Sequence, residues 1–304
     1  MVMTKSKRKF NFKQNAAVYV MLIPVLAYYI IFHYAPMGGL VMAFQNYRPN
    51  LGLLGSDWVG LDNFSRFFSS IYFGRLLRNT LLISVKDILV SFPAAIIFAL
   101  LLNEVRSKYF KKTVQTISYL PYFISMVVIC GLVMDFTEAG GAISNVVAAL
   151  GGPSDGLISN PKYFQSVFIG SNVWQNLGYS SIIYLSALSA IDQEQYESAR
   201  MDGAGRFKQT IYITLPALAT TITVMLLLRM GHLMTVNYQK VILLYSPATY
   251  ETADVISSYV YRIGLLGQDY SYAASVDFFN SVINLSILCV ANWASRKYSE
   301  TSLW

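Results

Sequence analysis

The chain has 304 residues, 55% of them hydrophobic and 13% charged, with a mean hydropathy of +0.45 and a net charge of +7. Soluble globular domains carry about 25% charged residues, so this composition excludes an ordinary soluble fold and points to an integral membrane protein. The positive charge lies in short clusters beside apolar runs, which is the pattern of membrane anchoring and excludes a nucleic-acid-binding face.

Six candidate spans follow in chain order. A basic tail, residues 1–15, carries Lys5, Lys7, Arg8, Lys9 and Lys13. The first apolar run, Ala16–Phe44, contains "VYVMLIPVLAYYIIF". It extends beyond the apolar core of a cleaved signal peptide, about 7–15 residues, and reads as an anchor. Further spans fall at about 76–102, 114–136, 166–191, 211–236 and 273–293. At about 1.5 Å per helical residue each can cross a hydrocarbon core about 30 Å thick. Several of the 22 tyrosines, such as Tyr28, Tyr29 and Tyr34, fall near span ends and read as interfacial anchors.

Basic residues in the connecting segments set the orientation. One side holds the N-terminal cluster, Arg106, Lys108, Lys111, Lys112, Arg200, Arg206, Lys208, Arg296 and Lys297. The other holds about half as many, spread over longer loops: Arg48, Arg66, Arg75, Arg78, Lys162, Lys240 and Arg262. The richer side is expected in the cytoplasm, with both termini and a C-terminal tail at residues 295–304. The segment 46–75, with "NYRPNLGLLGSDWVGLDNFSRFF", reads as an ordered outer loop.

The chain carries no phosphate loop, H-E-x-x-H or G-x-S-x-G motif. Cys130 and Cys289 lie in apolar runs and read as small buried hydrophobes. His33 and His232 are too far apart to suggest a metal motif. The expectation is a chain with no catalytic residues, no metal and no cofactor of its own, driven by another subunit or by an ion gradient.

The polar segment "EQYESARMDGAGRFKQTIYITLPAL" interrupts this greasy pattern between spans four and five. Asp192 can cap a short helix over "QEQYESAR", with Gln195 three residues on. Gly203 permits a sharp corner, and "RFKQTIYI" can start a second helix that enters the membrane. Pro216 relaxes that helix early in the span.

These residues closely resemble the EAA loop of permease subunits in binding-protein-dependent ABC importers. The family pattern is E-A-A, three residues, G, nine residues, I-x-L-P. Here it reads Glu197-Ser198-Ala199, Gly203, then Ile213-Thr214-Leu215-Pro216, with Ser198 as the one departure. "YAPMGGLVMAFQNYRP", "WVGLDNFSRFF", "LLRNTLLIS" and "SYLPYFIS" extend the resemblance to the polysaccharide and oligosaccharide branch of the sugar permeases. The resemblance implies an all-α, six-helix membrane domain over residues 16–294, with a coupling helix in a loop at about 192–210. It implies that Glu197, Ala199, Asp202, Gly203 and Ala204 meet an ATPase subunit. It further implies a second, homologous permease, two ATP-binding subunits that hold ATP and Mg, and an extracytoplasmic solute-binding protein. The place of work is a bacterial plasma membrane and the substrate an oligosaccharide.

Polar residues inside spans are costly and tend to line a bundle interior or a water-filled cavity. Asn172, Gln175, Asn176 and Tyr179 share one helical face, as do Asp277, Asn280, Ser281 and Asn284. Both stripes are candidates for a sugar path, or for hydrogen-bonded glue between helices. Tyr122, Phe123 and Trp174 can offer flat faces to sugar rings. Arg229 and His232 either join the path or pair with Asp277. Lys86 and Asp87 are neighbours that point apart, so each needs its own partner, sought on a companion subunit. The abundance of amides and acids leans toward neutral or weakly charged sugars. Two other readings stay open: a permease of the same superfamily for glycerol phosphate or a peptide, and an ion-coupled transporter using Asp87 and Asp277.

Overall fold

Helix starts are set by short polar side chains that accept a hydrogen bond from the first turn. In the computed structural model, which describes residues 16–298 and 302–304, five helices begin this way. Ser107 opens α4, Ser125 opens α5, Asn160 opens α7, Asp192 opens α8 and Asn237 opens α11. The helices in chain order are α1 (Ala16–Tyr29), α2 (Asp62–Phe68), α3 (Phe73–Glu104), α4 (Lys108–Tyr119), α5 (Met126–Thr137), α6 (Ala142–Ala149) and α7 (Pro161–Ser189). They continue with α8 (Gln193–Met201), α9 (Arg206–Gln209), α10 (Leu215–Met230), α11 (Tyr238–Leu244), α12 (Ile256–Val260) and α13 (Tyr270–Tyr298). One small hairpin, β1 (Gln45–Asn46) against β2 (Asp57–Trp58), orders the loop after the first apolar stretch in an antiparallel register with Gln45 opposite Trp58. The basic tail at residues 1–15 lies outside the described residues.

Five stretches are long and apolar enough to cross a membrane by length and composition: Ala16–Phe44, Phe73–Glu104, Met126–Ala149, Arg206–Met230 and Tyr270–Lys297. The remaining long helix, α7, has 29 residues, and its apolar character is diluted by the polar stripe. It packs along α3 to make the central pair of the bundle. Three apolar clusters brace that pair. Ile83, Ile129, Phe164, Phe168 and Val241 join α3, α5, α7 and α11. Phe67, Leu76, Ile256, Tyr272 and Val276 join α2, α3, α12 and α13. Ala95, Ala99, Tyr184, Leu188 and Leu218 join α3, α7 and α10. By contrast, α1 buries no residue against the rest of the chain.

Two expected spans differ from what is observed. The third, expected to run unbroken from about 114 to 136, divides at a 3₁₀ turn over Leu120–Phe123. Pro121 supplies no N–H to the helix there, and Ser125 caps a new start by accepting from the Val128 N–H. The fifth ends at Met230 rather than near 236, and Gly231 closes it. Asn284 of α13 holds the chain beyond that end, accepting from the Met234 N–H at 2.8 Å and donating to Thr235 Oγ1 at 3.0 Å. At the C-terminus α13 continues to Tyr298, and the Leu303 N–H returns to Asn292 Oδ1 at 2.8 Å.

At one end of the bundle, Asp254 is fully buried between Arg75 Nη2 at 3.3 Å and Arg262 Nη2 at 2.7 Å. The Asn79 amide donates to the carbonyls of Glu251 and Asp254, and Thr80 Oγ1 accepts from the Ile256 N–H. These bonds tie the start of α3 to the segment between α11 and α12.

The close contact of α7 with α4 depends on a glycine. A Cβ placed on Gly178 of α7 would overlap the Ser118 carbonyl of α4. Gly178→Val should therefore destabilise the bundle by about 1–3 kcal/mol through overpacking. A lowered thermal midpoint of the purified protein in detergent, with no loss for Gly74→Val where the space is open, is the expected measurement.

Candidate functional site

Helices α3, α7 and α10, with the turn after α4 and the segment after α10, enclose a polar cavity of about 500 Å³. Asp87 and Ser91 come from α3, Asn172, Gln175 and Asn176 from α7, and Arg229 from α10, with His232 just beyond it. Tyr122 closes one side from the 3₁₀ turn. Its ring stacks on that of Tyr179 at 3.8 Å between centroids and 3° between planes. Tyr179 itself lines a smaller recess of about 160 Å³ that also touches Asn172, Asn176 and Arg229.

Charge in this wall is organised as a relay. Lys240 Nζ donates to Asn172 Oδ1 at 2.6 Å, and Asn172 Nδ2 donates to Asp87 Oδ1 at 3.3 Å. Ser91 Oγ adds a second bond to Asp87 Oδ1 at 2.8 Å, and Arg229 Nη2 reaches Asp87 Oδ2 at 3.2 Å. Lys240 is fully buried, and its ammonium also lies over the Phe168 ring at 5.4 Å. Lys86 turns away from this wall and donates to Gln165 Oε1 at 2.8 Å.

The polar loop between α7 and α10 folds as two short helices around a corner. Asp192 accepts from the Glu194 N–H at 3.0 Å and starts α8. Gly203 has a φ of +76°, and the Ala204 N–H returns to the Ala199 carbonyl at 2.8 Å. This left-handed glycine after the helix end is what stops α8. Beyond it, Gln209 Nε2 donates to the Ala204 carbonyl at 2.7 Å, and Arg206 Nη1 pairs with Glu104 Oε2 of α3 at 3.2 Å. Tyr196 Oη and Thr214 Oγ1 meet at 3.0 Å, which ties α8 to the π-helical turn Thr210–Thr214 ahead of Pro216. Glu197 and Asp202 are exposed, and among the described residues neither side chain makes a hydrogen bond or ion pair. Met201 is 89% exposed and Phe207 78%, so the knob carries apolar as well as acidic surface.

Residues 91–299 match the model of the family described as binding-protein-dependent transport system inner membrane component. The chain belongs to this family. It is 39% identical to the polygalacturonan/rhamnogalacturonan transport system permease protein YteP of Bacillus subtilis strain 168, over 100% of this chain and 96% of that protein. It is 39% identical to Protein LplB of the same organism, over 96% of this chain and 92% of that one. Among solved structures it resembles a bacterial ABC transporter involved in the import of the acidic polysaccharide alginate, with 42% identity, a TM-score of 0.86, and 95% and 98% of the two chains covered. A second structure of a bacterial alginate ABC transporter, in complex with an alginate pentasaccharide-bound periplasmic protein, gives a TM-score of 0.87 at 42% identity. The chain is thus a multi-pass permease of the ABC importer class, a transport subunit rather than an enzyme. The ion-coupled reading falls with that assignment.

The permease brings one of its two expected polar stripes into the cavity. Asn172, Gln175 and Asn176 line it, with Tyr179 in the adjoining recess. Asp277, Asn280 and Asn284 of α13 are not among its lining residues. Asp277 is exposed, Asn280 is buried with Oδ1 unpartnered among the described residues, and Asn284 anchors the break after α10. Trp174 faces away from the cavity, into an apolar groove with Phe136 and Val167. Arg229 pairs with Asp87, not with Asp277. Lys86 and Asp87, expected to need a companion subunit, find their partners within this chain.

Sequence reasoning missed Lys240 and Ser91. Lys240 looked like one more cation of an outer loop, and only the return of α11 between α5 and α7 makes it a buried neighbour of Asn172. Its one sequence signal is the apolar "VILLY" that follows it. Ser91, four residues after Asp87, was legible as a same-face hydroxyl.

Removing the relay amide should leave a buried ammonium without its acceptor. Asn172→Leu is expected to cost about 3–5 kcal/mol, the range for stranding one member of a buried charged set. Lys240→Met in the same background should recover much of that loss, read as thermal midpoints of the purified complex.

Proposed function

We propose that this permease forms half of the membrane path for an oligosaccharide, and that the knob at residues 192–210 receives the ATP-driven stroke. The observation that carries the reading is the cavity wall itself. An amide stripe, Asn172, Gln175 and Asn176, faces it beside the stacked rings of Tyr122 and Tyr179. Planar amides satisfy sugar hydroxyls as both donors and acceptors. Stacked rings offer a broad apolar face to a pyranose. Relatives named for polygalacturonan, rhamnogalacturonan and alginate support a saccharide over glycerol phosphate or a peptide.

Six spans, with α7 as the fourth, put both termini and the knob on the cytoplasmic side. That face carries the larger share of basic residues in short segments. One knob serves one ATPase, so a second, related permease and two ATP-binding subunits complete the importer. ATP and Mg reside on those subunits. An extracytoplasmic solute-binding protein hands over the sugar. α1 exposes apolar side chains on all its faces and is suited to lipid and to the second permease.

The knob suits force transfer for physical reasons. Ala199 and Ala204 keep the surface low at the corner, where their backbones are bonded to each other. Glu197, Asp202 and Gly203 sit on the exposed side with Met201 and Phe207. Tyr196 and Arg206 transmit displacement to α10 and α3 through side-chain bonds.

Two measurements test this. Glu197→Lys and Gly203→Pro should abolish substrate-stimulated ATP hydrolysis in the assembled importer while the protein still inserts; Gly203→Pro fails because proline cannot adopt a positive φ. Normal stimulation in both would remove the coupling role. Asn176→Ala should lower saccharide uptake severalfold without altering subunit assembly, and unchanged uptake would return the amide stripe to helix packing.

A further inference from the structure

Arg229 is anchored in the cavity wall but only partly engaged. Its bond to Asp87 Oδ2 at 3.2 Å is the single hydrogen bond its side chain makes among the described residues. A guanidinium carries five N–H donors, so four remain open. Its side chain is 47% exposed, whereas that of Asp87 is 15% exposed. The acid is tucked into the wall, and the base stands at the lumen, touching both the main cavity and the Tyr179 recess.

Asp87 does not depend on Arg229 alone. Its other oxygen accepts from Ser91 Oγ and Asn172 Nδ2. The Asn172 amide is held in one orientation, its oxygen on the Lys240 ammonium and its nitrogen on the carboxylate. Lys240 therefore acts on Asp87 through the amide, and one carboxylate stands between two cations. The wall carries a net positive charge, and the cation that faces the lumen is the one with open donors. The sequence leaned toward neutral or weakly charged sugars on stripes of amides that included the acid Asp277, which does not line this cavity.

We propose that Arg229 is a carboxylate-binding subsite of this cavity, which takes the carboxylate of a uronic-acid residue in an acidic oligosaccharide while Asp87 serves as the resident counter-anion. The proposal rests on the reading of this cavity as the sugar path. A fork of parallel N–H donors matches a carboxylate in two-point contact. The Tyr122–Tyr179 stack carries the ring and the amides take the hydroxyls. Asp87 has a second function here. A translocation site must release what it binds, and a resident carboxylate that competes for the same guanidinium keeps the sugar's hold weak. No bond forms or breaks; one ion pair is exchanged for another.

The test uses the full importer in proteoliposomes, with its second permease, ATPase and binding protein. The probes are a galacturonate trisaccharide, a neutral galactose trisaccharide and glycerol 3-phosphate. Wild type should import the acidic trisaccharide in preference to the other two. Arg229→Gln should cut kcat/KM for the acidic sugar about tenfold or more, and change any neutral-sugar uptake by less than twofold. Arg229→Lys should fall between. Asp87→Asn should lower KM for the acidic sugar severalfold, because the competitor is gone.

The double variant Asp87→Asn/Arg229→Gln keeps a neutral hydrogen-bonding pair and separates a structural role from a binding one. Acidic-sugar uptake should stay low in it, with assembly at the wild-type level. Recovery in the double variant would overturn the subsite, leaving Arg229 as mere counter-charge for Asp87. So would an equal loss for both sugars in Arg229→Gln, no loss for either, or a wild-type preference for the neutral sugar or the phosphate. If wild type imports neither sugar, the saccharide path itself fails, which is a distinct result.

Discussion

A charge placed inside a hydrocarbon slab has to be neutralised by the protein that carries it, and this permease meets that demand with one shared carboxylate. Asp87 gathers Arg229 directly and Lys240 through Asn172, drawing α3, α7, α10 and α11 onto a single point. Bare burial of any one of these ions would cost several kcal/mol, so each helix is held in register by what its neighbour would lose. The cavity exists because the relay occupies the wall and leaves the lumen side polar. The early end of α10 follows the same logic, since the chain must turn at Gly231 for α11 to bring Lys240 back against α7.

A second buried acid repeats the device at the end of α3. Asp254 stands between Arg75 and Arg262 and fixes the segment between α11 and α12. The two acids differ in what they leave free. Asp254 is wholly enclosed, while the partner of Asp87 keeps an open edge toward a cavity. That difference separates a closed joint from a candidate site, although the residue types are the same.

Much of the fold was legible because its signals are local. Apolar length marked the membrane stretches, Asp192 marked the start of α8, and Gly203 marked the corner. Pro216 marked the relaxed π-helical entry to α10, because a missing N–H acts on the residues beside it. The break in the third span was less visible, since Pro121 had to be weighed against a run of apolar residues on both sides. Of the two polar stripes, identical in spacing, one lines the cavity and the other does not. Helical periodicity says which residues share a face, but not what that face meets. Asn284 fits a sugar path as well as Asn176 until its amide is found on the backbone of residue 234.

What the sequence determined by itself is the class of molecule and the shape of its polar loop: membrane helices from composition, and the short helix, glycine and entering helix from contiguous residues. Those features arise from interactions within a few residues along the chain, which the order of amino acids states directly. The tertiary structure alone decided the charges. Asp87 and Arg229 lie 142 positions apart, and Lys240 and Asn172 lie 68 apart. No local rule links such pairs, and the sign presented to the lumen depends on which members the packing buries and which it leaves open.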